Sequence, residues 1–139
     1  MTREKIKELF AQGIDCSQVV AGTFAEKMQM SEEEARKMSA CFGGGMMCGE
    51  TVTGALMVIG MVYGHSQEGD MDQKNIMMGK VAEFKERYAK KRSSTMCRDL
   101  LGHDFSKEGE LEKVLEEGLM FSFCPGVVED VLDILEEIL

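Results

Sequence analysis

The chain has 139 residues, 44% of them hydrophobic and 29% charged, enough apolar content for a core and too much for intrinsic disorder. That length makes one domain over 1–139 the expectation. Sixteen Lys and Arg against twenty-five Asp and Glu leave a formal charge of −9, which repels phosphate backbones and anionic lipid, so neither nucleic acid nor a membrane is an expected partner.

The first ten residues mix both charge signs with Ile6, Leu9 and Phe10, unlike the apolar centre of a secretory signal, which predicts a cytoplasmic protein. Glu4 to Gln12 reads as a short amphipathic helix that Gly13 stops. Asp15 then caps a second helix, from Cys16 to about Met28, that buries Val19, Val20, Phe24 and Met28. Ser31 with Glu34 makes a capping-box pattern for a third, through Ala35 and Met38 to Cys41, ended by Gly43-Gly44-Gly45.

Val52 to Tyr63 is apolar nearly all round yet far shorter than the roughly 18 residues a membrane span needs, so it is expected as a core helix. Gly54 and Gly60 in it are expected to admit close neighbours. Asp70 or Asp72 starts a longer helix with Met77, Val81, Phe84 and Tyr88 on one face and Lys90-Lys91-Arg92 at its end. Ser93-Ser94-Thr95 offers a cap for a short helix from Cys97 to Gly102.

Leu111, Val114, Leu115 and Leu119 follow at helical spacing. Cys124-Pro125, with Pro125 at the first helical position, then opens a last helix burying Val127, Val128, Val131, Leu135 and Ile138. Ten acidic and two basic side chains between 107 and 139 form a solvated face. With no sustained period-two alternation and no Asn-Gly or Asp-Gly turn, the fold class is all-α, a multi-helix bundle around the glycine-containing central helix.

Five cysteines are an odd count, and a reducing compartment argues against a permanent disulfide framework. Cys16, Cys48, Cys97 and Cys124 each fall at or just before a predicted helix start, where backbone N–H groups and the helix dipole favour thiolate. Thiolates attack disulfides and bind soft metals, so convergence of these four ends makes a tetrathiolate site. Their separations of 32, 49 and 27 residues contain no CxxC pair, and ordinary packing of reduced thiols is the competing reading. Cys41, at a helix end, stands outside the set.

His65 and His103 each follow a glycine and read as solvent-facing helix exits. The thirteen methionines, Met46-Met47 and Met77-Met78 among them, read as core filling rather than a Cu(I) site. The glycine run has no following Gly-Lys-Ser/Thr and no preceding strand, so it is a turn, not a phosphate loop.

Several segments together resemble the C_GCAxxG_C_C family of redox-active proteins over nearly the whole chain. They are Gly13-Ile14-Asp15-Cys16-Ser17-Gln18-Val19-Val20, Phe42-Gly43-Gly44-Gly45-Met46, Val52-Thr53-Gly54-Ala55-Leu56-Met57-Val58-Ile59-Gly60, Cys97-Arg98-Asp99-Leu100-Leu101-Gly102, and Cys124-Pro125. The family's first, third and fourth cysteines correspond to Cys16, Cys97 and Cys124. Its middle motif, Gly-Cys-(Ala or Gly) with Gly three positions on, is altered here to Cys48-Gly49-Glu50-Thr51-Val52-Thr53-Gly54: either Cys48 is the displaced equivalent, or the family's second cysteine is deleted with a few neighbours. The sequence is also similar to the N-terminal part of the split-Soret cytochromes, which implies a redox setting, although no CxxCH haem-attachment motif is present.

The resemblance implies a small redox or electron-transfer protein with a metal centre held by Cys16, Cys48, Cys97 and Cys124, an iron-sulfur cluster ahead of zinc, serving a redox partner protein. The alternatives are a metal-free thiol-disulfide or peroxide-reducing protein, and a helical partner-binding protein with structural thiols. A homodimer is compatible with each.

Overall fold

The computed structural model describes residues 1–46 and 52–139, residues 45 and 46 by backbone only. The protein is all-α: α1 Arg3–Ala11, α2 Cys16–Thr23, α3 Glu32–Ser39, α4 Gly43–Met46, α5 Thr53–Tyr63, α6 Met71–Lys91, α7 Cys97–Leu101, α8 Glu110–Glu116, α9 Leu119–Ser122 and α10 Cys124–Ile138. A 3-10 turn, Ala40–Phe42, joins α3 to α4.

Local chemistry fixes the helix ends. Thr2 caps α1 by accepting the Lys5 N–H, and Gly13, at φ +83°, closes it as Gly13 and Ile14 donate back to the Phe10 and Leu9 carbonyls. Asp15 and Gln18 form one reciprocal capping box on α2, and Ser31 and Glu34 form another on α3. Asp70, not Asp72, caps α6.

Regular α2 stops five residues short of Met28. The Thr23 hydroxyl donates to the Val19 carbonyl at 2.7 Å, a side-chain bond that competes with the helical ladder. Helical turns continue irregularly to Gln29, which takes a left-handed φ of +59° while Met30 donates to the Ala25 carbonyl. The glycine run does not simply end α3. It forms the turn of α4, with Gly44 at φ +59°, where a side chain would be strained.

Two further starts differ from expectation. Met96, which makes no side-chain cap bond, precedes α7, because the Ser94 Oγ accepts the Met96 N–H instead of capping the helix. In α10 Cys124 takes the first helical position and Pro125 the second.

The core is shared between α5 and α10. α5 packs against α2 and α6, and α10 against α1, α2, α6 and α9. Gly54 makes the expected close approach, since a Cβ there would lie 3.0 Å from the Ser17 Cα and 3.1 Å from its carbonyl oxygen. Gly60 does not, because its Cβ position faces open space. Met61 is half exposed, so α5 is not enclosed all round, and α10 contributes the longer buried stripe, from Pro125 through Ile138. In α8 Val114 is fully buried, whereas Leu111 and Leu115 are exposed. Among the described residues no helix is long and apolar enough to cross a membrane.

Candidate functional site

Cys16, Cys97 and Cys124 are the first residues of α2, α7 and α10. Although far apart in sequence, all three line one cavity of about 100 Å³. Its walls are almost wholly apolar: Val20 and Ala55 from α2 and α5, Val127 and Val131 from α10, and the rings of Phe10, Phe105 and Phe123. Cys97 is buried, Cys16 and Cys124 are half-buried, and no disulfide joins them. Cys41 lies in the 3-10 turn, exposed and off the cavity. Cys48 lies outside the described residues.

The expected thiolate character does not survive burial. Loss of hydration pushes the Cys16 thiol above its ordinary value and the Asp15 charge adds to this, against opposing N–H groups of Gly44, Ser17 and Cys16 itself. Burial likewise raises Cys124, to about 11, and negative charge at Cys16 contributes. A helix start stabilises an anion where water also reaches it; inside an apolar wall the desolvation cost is the larger effect. Cations do not compensate at α10. Arg3 and Arg92, which flank Gly126 in its first turn, are bound to Glu129 and Asp130 and do not line the cavity. Both Cys16 and Cys124 therefore rest as neutral thiols at pH 7.

Among the cavity's described lining residues, Asp15 is the ionisable side chain that is not a cysteine. Its Oδ1 accepts the Gln18 N–H at 3.3 Å and lies 2.8 Å from the Ser17 hydroxyl, which is equally close to the Ser39 carbonyl oxygen. Its carboxylate packs against Gly43, where a Cβ would sit 2.3 Å from Oδ2. The sequence marks Asp15 as a cap; its place on the cavity wall was not foreseen. The available signal is an acidic residue directly before a cysteine that begins a helix.

The expected tetrathiolate is not assembled by the described part of the chain. Among the described residues no group of three His, Cys, Asp or Glu side chains is arranged to hold a metal ion. Three thiols line one cavity. His65 is exposed as expected. His103 is not a free helix exit: its Nδ1 and Nε2 each lie 3.0 Å from a carboxylate oxygen, of Glu110 and Glu117 respectively.

The model of one family matches residues 14–138, that described as "Putative redox-active protein (C_GCAxxG_C_C)". The match covers most of the chain and spans all three cavity cysteines, and the protein belongs to this family. No curated protein and no solved structure matches the chain.

Proposed function

We propose that this member of the C_GCAxxG_C_C family is a redox protein that works through its cavity thiols, with Cys16 and Cys124 as a couple passing between dithiol and disulfide. The observation that carries this reading is their proximity: both line one cavity, and charge on Cys16 raises the pKa of Cys124. The electron acceptor is a disulfide on a partner molecule. One thiol, deprotonated, attacks a partner sulfur and releases one partner thiol; the second then attacks the mixed disulfide and releases the other. Two cysteine thiols and one partner disulfide become one internal disulfide and two partner thiols.

Raised thiol pKa values suit such a couple. A neutral thiol is a poor nucleophile, so the resting site resists adventitious oxidation and reacts when a partner or a base removes a proton.

A second reading is an iron-sulfur or zinc centre held by Cys16, Cys97 and Cys124 with Cys48. It is favoured by three sulfur donors that reach one cavity from three separate helix starts. Against it stands the absence of a metal-holding group among the described residues.

Anaerobic purification, with iron, sulfide and zinc measured and thiols counted before and after exposure to oxidised dithiothreitol, separates the two. The dithiol reading expects metal-free protein that loses two thiols per chain reversibly. Stoichiometric iron with sulfide, or zinc, replaces it with the metal reading.

A further inference from the structure

Making a disulfide from two neutral thiols requires each to lose a proton, and the apolar cavity offers few places to put one. Valine, leucine and phenylalanine side chains cannot accept it. Arg3 and Arg92 are already protonated and engaged with Glu129 and Asp130. Asp15 lines the cavity, immediately precedes Cys16, and acts on the ionisation of the Cys16 thiol. Its Oδ1 is occupied by the Gln18 N–H and the Ser17 hydroxyl, while Oδ2 is turned to the Gly43 backbone, a position that exists because residue 43 has no side chain.

We propose that Asp15 is the proton acceptor for the cavity thiols, and that Gly43 is the residue whose lack of a side chain allows the carboxylate to stand there. The proposal rests on the dithiol reading above. Asp15 takes the Cys16 proton as the Cys16 sulfur attacks the partner disulfide, and returns it to the departing partner thiolate. The carboxylate, ionised again, takes the Cys124 proton as Cys124 attacks Cys16 in the mixed disulfide, and the second partner thiolate leaves with that proton. Each step breaks one S–S bond and forms another, and the carboxylate ends as it began.

Asp15 has two opposed effects on these thiols, and this makes the proposal testable by sign. As a nearby negative charge it disfavours thiolate; as a base it opens the route by which thiolate forms. Asp15→Asn keeps a good N-cap, since asparagine accepts the same backbone hydrogen bond, but removes both charge and basicity.

The experiment follows oxidation of the reduced full-length chain by oxidised dithiothreitol between pH 6 and pH 9, with each cysteine resolved by peptide mass spectrometry. The proposal expects Asp15→Asn to form the Cys16–Cys124 link at least about tenfold more slowly at pH 7, with the deficit shrinking as hydroxide takes over at higher pH. Faster oxidation of the variant at pH 7, or an unchanged rate, overturns it and leaves Asp15 a cap and a charge. If the wild type forms no Cys16–Cys124 link, the dithiol reading itself fails, a distinct outcome.

Alkylation of buried Cys97 monitors folding; if it accelerates in Asp15→Asn, Asp15→Ser takes its place, again a capping residue without a carboxylate.

Discussion

The carboxylate of Asp15 and the Cα of Gly43 are in direct contact: a Cβ on residue 43 would lie 2.3 Å from Oδ2 and 2.4 Å from the carboxylate carbon. Gly43→Ala must therefore displace either the cap of α2 or the turn that carries Gly44. The expected cost is about 1–3 kcal/mol of stability, the usual range for overpacking a closed contact. Urea denaturation of the two proteins measures it, and an unchanged midpoint would show that the carboxylate moves aside freely.

Gly60→Ala should have the opposite sign. Gly60 lies within α5 and its Cβ position faces open space, so alanine adds no clash while reducing the freedom of the unfolded chain. A gain of about 0.5–1 kcal/mol is expected by the same denaturation assay.

This pair marks how far the sequence could be read. Several helix starts are legible because they are local: the cap at Asp15, the capping box of Ser31 and Glu34, and a cap at Asp70 or Asp72 need a few consecutive residues. Cys16 stands at a helix start through such a cap, whereas Cys97 and Cys124 begin α7 and α10 without a side-chain cap bond. Whether Gly54 or Gly60 faces a neighbour depends on the rotation of α5 between α2 and α6, which an all-round apolar helix does not encode in its periodicity.

Thiol ionisation departs from the local signal for a related reason. The dipole at a helix start is a local property, whereas the burial that outweighs it at Cys16 and Cys124 comes from residues such as Val20, Ala55 and Phe105, brought together by the fold. The sequence marks Asp15 as a cap alone, because its place on the cavity wall depends on elements distant in the chain.

His103 predicts a pH dependence opposite in sign to that of acid unfolding. Glu117 foremost, with Glu110, holds its imidazole protonated and raises its pKa above 6.5, and Lys113 pairs with the same Glu110. Because the folded chain binds that proton more tightly than the unfolded one, the stabilisation is complete below about pH 6.5 and is lost as pH rises through the elevated folded value. His103→Gln should flatten this decline in melting temperature with rising pH between pH 6 and pH 9; the same slope in both proteins would assign it elsewhere.

Cys41 supplies the internal control for the site. It is exposed and off the cavity, so Cys41→Ser is expected to leave reversible oxidation intact, whereas Cys16→Ser or Cys124→Ser abolishes it. The most direct measurement is peptide mapping of the full chain after mild oxidation and trapping of the remaining thiols. A dominant, reversible Cys16–Cys124 link, unaffected by Cys41→Ser, is the predicted result. Oxidation that leaves Cys16 and Cys124 both alkylatable, or that joins Cys41 in their place, would contradict the account.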